Sequence, residues 1–92
     1  MIGAVTSELL IYDAQSLKEK RSVLKSIITK LKQRLNVSVS ETGFQDLWQR
    51  TEITIVAVAT NRVVAEKELS KALAMIDSIP EIERTITNFE WF

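Results

Sequence analysis

One amphipathic helix, predicted over residues 16–35, constrains the fold of this chain more than any other feature. Ser16 is suited to cap the helix, and Glu19, three residues later, completes a capping box. Apolar residues then recur at helical spacing and form one stripe: Leu17, Leu24, Ile27, Ile28, Leu31 and Leu35. We expect the helix to dock on a sheet through four of these residues: Leu24, Ile27, Ile28 and Leu31.

Segments with the two-residue period of strands lie on both sides of this helix. Residues 2–12 alternate between one side with Val5, Leu9 and Ile11 and another with Ala4, Thr6, Glu8 and Leu10. Residues 37–40 alternate as a short strand that Gly43 interrupts. Residues 51–60 are β-branched and apolar on both sides, which is typical of a central strand.

The last third of the chain completes the order of elements. Asn61 is suited to cap a second helix, which Pro80 stops, and residues 82–92 form a final strand. The apolar positions of that helix are Ala65, Leu69, Ala72, Leu73 and Ile76. The order β-α-β-β-α-β predicts an α+β fold, the ferredoxin-like split β-α-β sandwich, with a four-stranded antiparallel sheet and both helices on one face. We expect residues 1–92 to form this single domain.

Composition limits where such a chain works. No apolar run approaches the ~20 residues of a membrane-spanning helix. The N-terminus lacks the basic region and cleavage site of a signal peptide, and the absence of cysteine excludes a disulfide framework. We therefore expect a cytoplasmic protein without a membrane partner.

The residue types needed for common catalytic sites are missing. Without histidine or cysteine, neither a histidine-based triad nor a typical zinc site can form. Gly3 and Gly43 are the only glycines, which excludes a glycine-rich phosphate loop. The pairs Glu66/Glu68 and Glu81/Glu83 have the spacing of exposed faces. We predict no catalytic residue, no metal site and no cofactor, and hence a protein that is not an enzyme.

The net charge of zero conceals a strongly basic first helix. Between Leu17 and Leu35 there are seven basic residues and one acid, whereas the rest of the chain has five bases and eleven acids. At 100° per residue, four cations fall within an arc of about 60° beside the apolar stripe. These four, which we name the charge ridge, are Lys18, Arg21, Lys25 and Lys32. Lys30 and Arg34 fall on the opposite flank of the helix.

The charge ridge has two interpretations. Lysines on an amphipathic helix often do no more than keep the surface hydrated. A ridge about 20 Å long with few nearby acids is also suited to follow a phosphate backbone. Recognition of bases on the sheet is not expected, because residues 51–60 contain no aromatic side chain and the first strand has only Tyr12, at its end. Readout of a DNA sequence is not expected either.

The connecting loop, residues 43–50, is unusually rich in aromatic and polar side chains. It contains Phe44, Gln45, Asp46, Leu47, Trp48, Gln49 and Arg50. In a structural role its aromatic residues would cap the core, with Asp46 and Arg50 paired. In a functional role it would be a recognition loop formed by Gln45, Asp46, Trp48, Gln49 and Arg50, since Trp and Arg are enriched in binding hot spots. Residues 89–92 pose the same choice: their aromatics either cover the sheet or dock against a partner.

With these motifs the chain resembles the YlxP-like family of small bacterial proteins, a domain of unknown function. The resemblance lies in residues 16–21 (SLKEKR), 36–39 (NVSV) and 45–50 (QDLWQR), and it covers essentially the whole chain. Phe44 departs from the acidic or polar residue usual after the loop glycine. The resemblance implies a ferredoxin-like fold and a bacterial cytoplasmic protein, in a family whose genes often neighbour those of transcription and translation factors, including a ribosome-binding factor.

Three functions remain open at this point. The first is a non-enzymatic accessory of ribosome assembly or translation, which contacts RNA or a ribosomal particle through the charge ridge. The second is a protein–protein interaction module that forms a homodimer through the open face of its sheet, where Leu10, Val56 and Val58 lie, or through an edge strand. The third is a small-ligand regulatory domain, by analogy with similar folds.

Overall fold

The structure, a computed structural model, describes residues 1–92 and has two helices and four strands. The elements are β1 (Ile2–Ile11), α1 (Leu17–Arg34), β2 (Val37–Gly43), β3 (Arg50–Val58), α2 (Arg62–Asp77) and β4 (Ile82–Trp91). The strand order is β2-β3-β1-β4, and every neighbouring pair is antiparallel. The predicted α+β split β-α-β architecture is confirmed. Neither helix combines the length and apolar character needed to cross a lipid bilayer.

The alternation of each central strand decides which face of the sheet is covered. Val5, Ser7, Leu9 and Ile11 of β1 are buried, as are Ile53 and Ile55 of β3, while the residues that alternate with them are partly exposed. The covered face meets the buried residues of both helices in one core. Because both helices lie on this face, the opposite face is open, as the sequence predicted.

The first helix is rotated slightly from the predicted orientation. Leu24, Ile27 and Leu31 are buried as expected, but Ile28 is only partly buried at the margin of the core. The fourth buried position of α1 is Lys20, which is fully enclosed. The docking prediction is therefore confirmed at Leu24, Ile27 and Leu31, while Ile28 packs against the core without being fully buried.

Both predicted helix caps form. The Ser16 hydroxyl accepts a hydrogen bond from the Glu19 backbone N–H at 3.1 Å, and the Glu19 carboxylate accepts one from the Gln15 N–H at 2.7 Å. Asn61 caps α2 by accepting from the Val64 N–H at 3.0 Å. These contacts satisfy N–H groups that have no partner within the helix.

The second strand is longer than its sequence pattern suggested. It does not stop near Ser40 but continues to Gly43, with a shift of register against β3 between Glu41 and Gly43. Such a bulge bends the edge strand where the connecting loop begins. The strand ends at Gly43, the residue predicted to break it.

Arg84 of β4 fixes the C-terminal end of α2. Its Nε and one terminal nitrogen each donate to a carboxylate oxygen of Asp77, both at 2.8 Å. This bidentate contact lowers the pKa of Asp77 below its ordinary value, against the opposing effect of partial burial.

Candidate nucleic-acid interface and the connecting loop

The charge ridge is exposed along its whole length. Lys18, Arg21, Lys25 and Lys32 are all exposed, and none has a carboxylate within the 4 Å of an ion pair. The flank with Lys30 and Arg34 instead lines a groove against α2. The two flanks of α1 therefore differ: one faces the neighbouring helix, and the other presents four cations to solvent.

The ion pairs of the protein lie elsewhere. Four cations have acidic partners: Lys20 with Glu41, Arg50 with Glu8, Lys71 with Glu68, and Arg84 with Asp77. Among the cations without such a partner, only Arg62 and Lys67 lie outside α1. The free positive charge of the molecule is thus concentrated on one helix, which is the distribution expected to attract an anionic partner.

Lys20 connects the first helix to the connecting loop. Its ammonium group donates to the Phe44 carbonyl at 2.6 Å and lies 3.0 Å from a Glu41 carboxylate oxygen. A longer contact of 3.4 Å reaches the Gln45 carbonyl, and the Thr51 hydroxyl donates to the same Glu41 oxygen at 2.5 Å. All donors of the buried amine are aimed at oxygen atoms, so the charge is compensated within the fold.

Sequence reasoning missed this role of Lys20, although a signal was present. Lys20 lies three residues after Leu17 and four before Leu24, which places it inside the apolar stripe of α1. A cation at such a position must either extend out of the core or find an acid within it.

The start of the connecting loop has a strained backbone held by a cation–π contact. Phe44 has a φ of 55°, in the left-handed region that a bulky residue rarely adopts, and its carbonyl accepts from the Leu47 N–H at 3.1 Å. The Arg50 guanidinium lies 4.4 Å from the centre of the Phe44 ring, and its Nε is 2.5 Å from Glu8. The predicted pairing of Asp46 with Arg50 is therefore wrong, because Arg50 is engaged by Glu8 and Phe44.

The end of the loop is tied to the segment that precedes α1. The Gln49 carbonyl accepts from the Ile11 N–H at 2.9 Å, and its side-chain amide donates to the Ala14 carbonyl at 3.1 Å. With Lys20 holding the start of the loop, both ends are fixed to the chain that leads into α1. The connecting loop and the N-terminal end of α1, where the charge ridge begins, thus occupy the same end of the molecule.

A cleft of about 590 Å³ opens beside the middle of the loop. Its lining residues are Leu10, Tyr12, Asp46, Leu47, Trp48, Gln49 and Arg50. Trp48 is 52% exposed and Phe44 is 38% exposed, so the aromatic residues of the loop do not cap the core as the structural interpretation predicted. The Tyr12 hydroxyl donates to Glu83, and this hydrogen bond raises the pKa of the tyrosine above its ordinary value. Four of the five recognition-loop candidates therefore line one cleft; Gln45 lies outside it.

The C-terminal aromatic residues divide between the two predicted roles. Trp91 packs against the core. Phe89 stacks on Trp91 with ring centres 6.1 Å apart, and the Arg62 guanidinium lies 4.6 Å from the centre of the Trp91 ring. Phe92 is 69% exposed and pairs through its backbone with Ile2. The tryptophan therefore covers the sheet, while the terminal phenylalanine projects into solvent.

Comparison with known proteins identifies relatives along the whole chain. A family model described as "Protein of unknown function (DUF503)" matches residues 2–89. The chain is also 61% identical over 92 residues, the full length of both chains, to a Bacillus subtilis (strain 168) protein described as "Uncharacterized protein YlxP".

No group of three or more acidic, histidine or cysteine side chains is placed to hold a metal ion.

Proposed function

The chain belongs to the DUF503 family, and we propose that it is a non-enzymatic, cytoplasmic accessory of ribosome assembly or translation that binds RNA phosphates through α1. One observation carries this proposal. The four cations of the charge ridge are exposed and lack acidic partners, whereas outside α1 only Arg62 and Lys67 are without a carboxylate partner. Charge left free on one surface favours an anionic partner.

The shape of the ridge suits a chain of phosphates. From Lys18 to Lys32 the helix rises about 21 Å, at 1.5 Å per residue, and the four cations stay on one flank. Each contact with a phosphate releases condensed counterions, so binding through such a ridge depends steeply on salt. The slope of this salt dependence reports the number of phosphate contacts. It therefore distinguishes a defined site from diffuse attraction.

The salt dependence of RNA binding is the direct test. Four phosphate contacts on single-stranded RNA give a log–log slope of about −3. We expect the double substitution Lys25→Gln and Lys32→Gln to reduce the magnitude of that slope by about 1.4, since each phosphate contributes roughly 0.7. Fluorescence anisotropy of a labelled oligonucleotide, measured from low to moderate salt, would give both slopes.

The opposite flank of α1 supplies a matched control. Substituting Lys30 and Arg34 by glutamine removes the same charge from the same helix, with a residue that is also a good helix former. We expect this pair to change the slope much less, because it lines the groove against α2. Equal effects of the two pairs would indicate diffuse attraction to a basic helix. Absence of binding to RNA, and of co-sedimentation with ribosomal subunits at low salt, would refute the proposal.

A second candidate function, homodimerisation through the open face, is favoured by one row of exposed apolar residues. Ile2 pairs with Val58 on one side and with the backbone of Phe92 on the other, so the three form a row across one end of the sheet. Leu10 lies at the other end, and hydrogen-bonded threonines, including Thr6 and Thr54, occupy the middle. The end with this row is suited to a partner that buries apolar area.

A charge at this end of the sheet is expected to prevent such a dimer. Val58→Lys would bring two like charges together across a two-fold axis, because an isologous interface repeats every substitution. Val63→Lys, equally exposed but on α2, should leave the dimer intact. Light scattering over a range of protein concentrations tests this, and a wild-type protein that stays monomeric throughout would rule out the dimer.

A further inference from the structure

The cleft beside Trp48 combines aromatic surface with the absence of a free cation. Trp48 is half exposed, and Tyr12 forms part of the same wall. Of the charged side chains in the lining, Arg50 is engaged by Glu8 and Phe44, and Asp46 is an acid. A phosphate would meet no available positive charge here. A flat, neutral ring would meet aromatic and aliphatic surface with amide and carboxylate groups at its edge.

We propose that this cleft binds a nucleobase of single-stranded RNA, stacked on Trp48, while phosphates of the same strand contact the charge ridge. The inference rests on the proposed function and extends it, because it specifies unpaired RNA over duplex RNA. Bases inside a duplex are stacked and paired, so only a single strand can place one on a protein side chain. Stacking on an aromatic ring accepts any base, because every base has a π-face.

The size of the cleft is adequate for this ligand. At about 590 Å³ it falls within the roughly 300–1,000 Å³ of small-molecule sites, and a single base with its ribose is smaller than most such ligands. The cleft lies where β1 ends and β3 begins, beyond the central strands that lack aromatic residues. Stacking would therefore use the connecting loop, not the sheet surface that RNA recognition motifs use.

The contacts of the loop explain how one strand could occupy both places. Lys20 holds the Phe44 carbonyl, and Gln49 donates to the Ala14 carbonyl, so the loop is fixed to the segment that starts α1. Lys18 and Arg21, the first cations of the charge ridge, lie in the opening turns of that helix. A strand held by these cations would raise the effective concentration of its next base near the cleft. Because the loop is already fixed, little ordering is needed on binding.

Trp48→Leu is the substitution that separates stacking from charge. We expect it to weaken binding of a uridine 12-mer about tenfold, within the range for loss of one base–aromatic stack, and to leave the salt slope unchanged. Phe92→Leu is the matched control, because that aromatic is also exposed but lies at the opposite end of the sheet. It should leave affinity unchanged. Thermal unfolding of both variants checks that the fold is retained.

Two further RNA probes assign the effect to a base. An abasic 12-mer keeps the phosphates, so the wild-type protein and Trp48→Leu should bind it equally. A 12-base-pair RNA duplex should likewise show no dependence on Trp48. In a Trp91→Phe background Trp48 is the only tryptophan, and its fluorescence should be quenched by the uridine strand but not by the abasic one.

The outcomes distinguish failure of this inference from failure of the proposed function. Trp48→Leu with wild-type affinity for the uridine strand would overturn the stacking site, even if the charge-ridge substitutions still changed the salt slope. An equal loss in Phe92→Leu, or an equal loss for the abasic strand, would overturn it as well. No binding of any RNA by the wild-type protein at low salt would overturn both the stacking site and the proposed function.

Discussion

Lys20→Met is expected to lower the free energy of unfolding by about 3 kcal/mol, near the lower end of the 3–5 kcal/mol typical of removing one partner from a buried ion pair. The substitution leaves the Glu41 carboxylate without its cation and removes one of the two donors to the Phe44 carbonyl. We expect a loss near the lower end of that range because the Glu41 side chain keeps 20% of its surface exposed, so water can reach the unpaired carboxylate. Methionine retains the length of the aliphatic stem, so lost packing contributes little.

Chemical denaturation of matched variants isolates the burial of this charge. Lys71→Met removes a cation from a pair on the surface of α2, where the lysine side chain is 64% exposed, and should cost less than about 1 kcal/mol. Combining Lys20→Met with Glu41→Leu removes both charges and should recover part of the stability, but not all of it. The Thr51 hydroxyl would still lack its acceptor, and the Phe44 carbonyl would keep only the Leu47 N–H as a donor. If Lys20→Met lowered the free energy of unfolding by only a few tenths of a kcal/mol, the amine would have to be hydrated in solution.

The elements of the fold could be predicted because their signals are local. Burial of one strand face or one helix stripe imposes a period on neighbouring residues, and that period is visible without knowing what covers them. The caps at Ser16 and Asn61 are local for the same reason, since each bonds a residue three positions later. The charge ridge also follows from helical geometry alone. Its exposure and its lack of acidic partners required the structure.

The contacts of the connecting loop could not be predicted, because each depends on residues far away in the chain. Lys20 meets the Phe44 carbonyl 24 residues away, and Arg50 meets Glu8 across 42 residues. Asp46 looked like the partner of Arg50 only because it is close in sequence, whereas pairing of β1 with β3 brings Glu8 closer in space. The backbone conformation of the turn was not visible in the sequence either. Phe44, and not Gly43, adopts the positive φ, which tertiary contacts must stabilise.

The orientation of α1 can be tested with two neighbouring isoleucines. Ile27 is 4% exposed, and its replacement by alanine should cost about 2–5 kcal/mol, from lost burial and the cavity that remains. Ile28 lies at the margin of the core, so the same change there should cost roughly 1–2 kcal/mol, since only the buried part of the side chain contributes. Urea denaturation of both variants measures the difference.

This pair is informative because each variant is the control for the other. Both substitutions exchange isoleucine for alanine inside α1, so the gain in helix propensity is nearly the same and cancels in the comparison. The remaining difference reports burial alone. A larger loss at Ile28 than at Ile27 would mean that α1 is rotated about its axis towards Ile28, which would carry Lys20 out of the core. It would also turn the charge ridge away from the flank on which the proposed RNA contact depends.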